Sequence, residues 1–184
     1  ARAVDYAGNI QTVFASPVSS RTFSVDKNPP LAGFVKPVNG ASYPPLQLTG
    51  GSALNGTAAD PEVSLYPNLN ALQSAQIAIS YLYQGTSYYY TGAPGDNDTK
   101  FSSQSVQTDQ WQVLTGTDSW RLLFNSVDWI SDRRYMAKVR ARDRARDVAG
   151  AVVGNLSSAF VTGVSSVSFI VDDTPPQSAV QSPV

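Results

Sequence analysis

Residues 75–90 read AQIAISYLYQGTSYYY, and their alternation decides the fold class. Ile77, Ile79, Tyr81 and Tyr83 fall on one side of an extended chain, with Ala78, Ser80 and Leu82 on the other. That is the period of a half-buried strand. Gln84-Gly85-Thr86 then turns the chain back into Ser87–Thr91, a hairpin signal with glycine in the turn. Working outward, short apolar runs at 31–36, 46–49, 54–58, 110–114, 119–124, 135–142 and 160–171 are separated by turn residues. Asp60–Ser74 fits either one helical turn or an irregular insertion, and Ala93–Asp98 is a loop by its Pro, Gly, Asp and Asn content. Many short strands in sequence predict an all-β chain folded as a sandwich. Composition agrees: Glu62 is the only glutamate and there are four lysines, so exposed helix formers are scarce. Ile79, Trp120, Val139 and Phe169 are expected in the core.

An internal repeat sets the organisation. Residues 13–38, VFASPVSSRTFSVDKNPPLAGFVKPV, match residues 159–184, AFVTGVSSVSFIVDDTPPQSAVQSPV, at 11 of 26 positions with no gap. Slightly upstream, Asp5-Tyr-Ala-Gly8 echoes Asp147-Val-Ala-Gly150, with four extra residues in the second copy. One full period therefore lies between two copies of the same segment. The expected division is 1–28 as the last strands of one module, 29–174 as a complete module, and 175–184 as the first strand of a third. Pro29-Pro30 and Pro175-Pro176 mark the joints, where proline fixes φ and keeps the preceding residue extended. Residues 1–28 alone would leave Val4, Ile10, Val13, Phe14, Phe23 and Val25 without an opposing sheet. A neighbouring copy, or more of the same polypeptide, is expected to cover them.

The order of these motifs resembles the bacterial Ig-like and fibronectin-type-III-like modules repeated in large prokaryotic surface proteins and adhesins. The resemblance rests on Pro37-Val-Asn-Gly40, Gly56-Thr57-Ala58-Ala59-Asp60, the tyrosine hairpin, and the Val171-Asp-Asp-Thr-Pro-Pro176 joint. It also rests on Tyr135-Met-Ala-Lys-Val-Arg140-Ala-Arg-Asp143. The family's penultimate strand runs on into Asp-x-Ala-Gly-Asn. Arg2-Ala-Val-Asp5-Tyr-Ala-Gly-Asn9 fits that pattern, whereas the second copy is split between Arg140–Asp143 and Asp147–Gly150. The resemblance implies an immunoglobulin-like sandwich of two antiparallel sheets in tandem modules, extracellular and attached to a cell surface, with neighbouring modules as partners.

Net charge is −1, with no clustered positive footprint for nucleic acid. Lys138, Arg140, Arg142, Arg144 and Arg146 share one strand face, but Asp132, Asp143 and Asp147 interleave, which favours a solvated face over a polyanion stripe. No apolar run approaches a membrane span. Histidine and cysteine are absent, so the commonest general base and the thiolate nucleophile are missing. No carboxylate pair is singled out by a motif, and no enzyme is expected.

Two binding chemistries stand beside the structural reading. Tyr88, Tyr89 and Tyr90 could stack on a cell-surface glycan if exposed in a row, as a binding module or an accessory to a secreted polysaccharide-degrading enzyme; otherwise they fill the core and pair across strands. On a strand, either Tyr89 or both Tyr88 and Tyr90 must face outward. Asp26, Asp172 and Asp173 precede the joints and could bind calcium, with Asp5, Asp143 and Asp147 approaching the same ends. Gly95–Asp98 is a second possible loop for calcium. Turn-forming aspartates are the plainer account, and no other cofactor is expected. Asn55, Asn97 and Asn155 begin N-glycosylation triplets.

Overall fold

The computed structural model describes residues 2–16, 26–50, 53–61, 72–92, 101–103, 108–122, 129–146 and 151–179. Among them the regular secondary structure is nearly all strand: β1 Leu31–Lys36, β2 Ser42–Tyr43, β3 Leu54–Ala59, β4 Leu72–Tyr83, β5 Thr86–Tyr90 and β6 Phe101–Ser103. These are followed by β7 Gln112–Val113, β8 Ser119–Leu122, β9 Arg133–Asp143 and β10 Ser166–Val171. The one helical element among the described residues is a 3-10 turn at Pro45–Leu48, where a strand was expected over 46–49. Pro44 and Pro45 have no N–H to give a ladder, and Pro45 suits the first turn of a helix. The 160–171 run also starts pairing later than expected. The Val161 carbonyl accepts from the N–H groups of Val164, Ser165 and Ser166, so a turn precedes β10. Residues 62–71, within the uncertain 60–74 stretch, lie outside the described residues.

The strands form two sheets, ordered β1-β3-β8 and β2-β10-β9-β4-β5-β6, with β7 on the flank of β4. Both were expected to be antiparallel. The larger is mixed, because β2 pairs in parallel with β10. The sequence alternation works as read: Ala75, Ile77, Ile79 and Tyr81 of β4 point inward, as do Tyr135, Ala137, Val139 and Ala141 of β9 and Val167, Phe169 and Val171 of β10. They meet Leu54, Trp120 and Leu122 of the smaller sheet in one apolar core. Trp120, Ile79, Val139 and Phe169 are all buried, as expected. Dispersion and lost apolar hydration are what such a core contributes.

Three polar details lock the sandwich. Trp120 donates its indole N–H to the Thr57 carbonyl at 3.1 Å. It lies so close to β3 that a Cβ on Gly56 would collide with the indole and with the Gly33 carbonyl. The Trp129 indole donates to the Leu48 carbonyl at 2.8 Å. The Tyr135 hydroxyl accepts from the Ile130 N–H at 2.9 Å and donates back to the Ile130 carbonyl. Its burial raises the phenol pKa, so the hydroxyl keeps its proton.

Candidate functional site

One pole of the sandwich is built around Asp143, the last residue of β9 and fully buried. Its Oδ1 accepts from the Ala145 N–H at 2.8 Å and the Asn155 N–H at 2.7 Å, and its Oδ2 accepts from Asn155 Nδ2 at 2.9 Å. The Asp143 N–H in turn donates to the Asn155 carbonyl. Asp and Asn thus bracket the turn that leads back toward β10. The three donors are what keep a buried carboxylate affordable.

The same bracket exists near the N-terminus. Asp5 Oδ1 accepts from the Ala7 and Asn9 N–H groups, both at 2.9 Å, and Oδ2 accepts from Asn9 Nδ2 at 2.8 Å. The Asp5 N–H donates to the Asn9 carbonyl at 3.0 Å, against 3.1 Å for Asp143 to Asn155. Val4 bridges Ile10 as Arg142 bridges Leu156. Gln11 N–H meets the Ala3 carbonyl at 2.9 Å, and Ser157 N–H meets Ala141 at 3.0 Å. A glycine with positive φ, Gly8 or Gly154, precedes each asparagine. Asp5 therefore corresponds to Asp143, not to Asp147 as the sequence echo suggested. Three residues separate Asp5 from Asn9 and eleven separate Asp143 from Asn155, so the second copy carries eight extra residues rather than four. Asp147–Gly150 lie outside the described residues. The Asn9 side chain, then its backbone N–H, holds the Asp5 carboxyl below the ordinary aspartate pKa. A further correspondence lies just before the two Pro-Pro pairs: the Asn28 N–H donates to Asp26 Oδ1 at 3.1 Å, and the Thr174 N–H to Asp172 Oδ1 at 2.9 Å.

Asp26, Asp60 and Asp143 come together, with carboxylate oxygens within 4.8 Å of one another. Asp60 follows β3 and is buried, and Asn155 Nδ2 also reaches the Asp26 carbonyl at 3.4 Å. Asp26 is thereby tied to the turn that holds Asp143. Asp172 and Asp173 do not join this cluster. They sit at the opposite pole, where the Asp172 N–H binds the Tyr43 carbonyl and the Asp173 N–H binds Ser131 Oγ. Of the aspartates expected to approach these ends, Asp143 meets Asp26, while Asp60, at the end of β3, was not singled out. The one usable signal for Asp60 in the sequence was the Gly56–Asp60 motif, which was read for family and not for charge.

The tyrosine hairpin presents no exposed row. Tyr88 stacks on Tyr81 at 5.0 Å and 6°, Tyr90 packs on Phe101, and Tyr89, on the opposite face, is only 7% exposed. Tyr88 and Tyr90 thus face the core, where burial raises the Tyr90 phenol pKa. The basic face of β9 is internally paired: Lys138 with Asp109 at 2.8 Å, Arg140 with Gln76 and over the Trp111 ring at 3.9 Å, and Arg142 on the Val153 and Gly154 carbonyls. Burial, first, and then Arg142 lower the Arg140 pKa. Of the glycosylation triplets, Asn155 has its amide committed to Asp143, Asn55 lies within β3, and Asn97 is outside the described residues, as is Gly95–Asp98. No helix among the described residues is long and apolar enough to cross a membrane. No protein-family model, curated protein or solved structure matches this chain.

Proposed function

We propose that this chain is a non-catalytic spacer from a tandem array of immunoglobulin-like modules on the outside of a cell, as in an adhesin stalk or fibre. The observation that carries the reading is the recurrence of the Asp–Asn bracket, with the same hydrogen bonds, at both ends of one sequence period. Two features support the immunoglobulin-like assignment. The first strand is divided, β1 joining one sheet and β2 the other, and Tyr135 makes a tyrosine corner at the start of β9. The bond from the Asn155 amide to the Asp26 carbonyl supports stiff joints rather than free linkers.

Calcium is the cation that an all-oxygen donor set at this pole would take. The glycan reading needs an exposed aromatic row, and the buried tyrosines give it no support.

The test is a chain carrying residues 29–174 twice in succession, studied by small-angle scattering and 15N relaxation with calcium and with chelator. The maximum dimension is expected to grow by one module length and both modules to tumble together. Independent tumbling in both conditions would sink the stiff-spacer reading. Binding on a glycan array that is lost in Tyr88→Ala would replace it with the rival.

A further inference from the structure

The outer face of the larger sheet falls into two halves. Over one half the outward basic side chains of β9 are engaged: Lys138 by Asp109, Arg140 by Gln76 and the Trp111 ring, and Arg142 by the Val153 and Gly154 carbonyls. Trp111 stacks on Phe160 there, so chain from outside the strands overlies that half. The other half lies toward the β4–β5 turn. Its basic side chain from β9 is Arg134, which is exposed and makes no hydrogen bond, ion pair or ring contact among the described residues.

Beside Arg134 the face is grooved. Ser80, Leu82, Ser87, Arg134, Met136 and Ser168 line a depression of about 440 Å³. Alternation explains its shape. Met136 stands between Ser80 of β4 and Ser168 of β10, each directly opposite it, and Leu82 stands opposite Ser87 of β5. Tall side chains set beside serines leave a trough. Leu82 is 65% and Met136 46% exposed, so the walls are aliphatic and open to solvent. The serine hydroxyls make no hydrogen bond among the described residues. Such a volume, with apolar walls and a few converging polar groups, is that of a ligand site.

We infer that this groove binds an extended peptide through an acidic side chain with an aliphatic neighbour. The Arg134 guanidinium offers a carboxylate two parallel N–H donors. One uncommitted guanidinium balances one negative charge, which suits a carboxylate better than a phosphate of nearly two charges. Leu82 and Met136 take the aliphatic neighbour, and the serines take peptide N–H and C=O groups. The groove crosses from Ser87 on β5, over β4 and β9, to Ser168 on β10. At about 4.8 Å per strand step it spans about 14 Å, the length of about four extended residues. A free aliphatic acid fills only part of it. A sugar ring needs an open aromatic face, and Tyr89, opposite Ser80, is only 7% exposed. The site does not depend on the spacer reading, and either can fail alone.

Met136 is the only methionine, so its methyl resonance is a ready-made reporter in the full-length chain. The probe is the blocked tetrapeptide acetyl-Ala-Leu-Glu-Val-amide, followed by methyl NMR. A saturable shift of the Met136 and Leu82 methyls is expected. The same peptide with glutamine for glutamate should bind about five-fold more weakly or worse, and Arg134→Gln should cost the original peptide as much. Ser80→Leu fills the trough and should abolish binding with Arg134 in place. Circular dichroism of both variants should match the parent, and the peptide exchange needs no variant at all. The absence of a saturable shift overturns the site, as does equal binding of the two peptides or binding that Arg134→Gln leaves unchanged. Hexanoate or glucuronate binding as tightly as the peptide overturns the peptide assignment, in favour of a free acid or an acidic sugar.

Discussion

The turn closed by Asp5 and Asn9 and the turn closed by Asp143 and Asn155 share their hydrogen bonds and differ in everything around them. The second sits at the end of β9 with a fully buried carboxylate. The first stands in the open, with Val4, Ile10, Val13 and Phe14 between 47% and 78% exposed. In the second copy the counterpart of Phe14 is Phe160, and it stacks on Trp111 at 5.7 Å. Local sequence is therefore enough to form the turn, and only the surrounding sandwich decides what the turn is worth. Phe23 and Val25, expected to share the exposure, lie outside the described residues.

Four measurements would break or sharpen that contrast. The largest effect belongs to Asp143→Ala, which takes a fully buried acceptor from three part-buried donors. It should cost about 3 kcal/mol or more in urea unfolding, while Asp5→Ala should leave the same midpoint unchanged within error. Equal losses would mean that the N-terminal turn is part of the cooperative unit. Next comes Gly56→Ala, where the added methyl meets Trp120 and the Gly33 carbonyl; about 3 kcal/mol is expected by thermal or urea denaturation, with Trp120 fluorescence altered. Val139→Ala should then cost about 1–3 kcal/mol, against no resolvable change for Val13→Ala on the exposed copy.

The smallest effect is electrostatic. Because the folded Asp5 carboxyl has its pKa lowered, its contribution is present above the ordinary aspartate value of 3.8 and is lost as pH falls through the lower, folded value. The Ala7 and Asn9 amide resonances should therefore shift with a midpoint below 3.8, with far-UV circular dichroism unchanged. A midpoint at or above 3.8 would show that the bracket does not hold in solution.

Strand content and core were legible because period-two alternation reports directly on which face is buried: Ile77, Ile79, Val139 and Phe169 needed only counting. What escaped the sequence was pairing across distance. Nothing local marks Ser42–Tyr43 as a parallel partner for β10, since Asn39 and Ala41 bind residues more than a hundred positions away. Nor does spacing bring Asp60 to Asp26, because their meeting depends on where β3 ends. The tyrosine row failed for a related reason. Alternation fixes which of Tyr88, Tyr89 and Tyr90 share a face, but Tyr89 is buried on a face that alternation alone would leave to solvent.

The Asp–Asn bracket has one more consequence, and it concerns cargo. It closes over three intervening residues in one copy and eleven in the other with the same bonds between its aspartate and its asparagine. Loop-closure entropy for that lengthening is about 1 kcal/mol, small beside the bracket itself. The pole is thus a socket indifferent to what is threaded through it. An epitope, a protease site or a small folded insert placed between Asp143 and Asn155 would be displayed at this pole, with the frame that holds it left as it was.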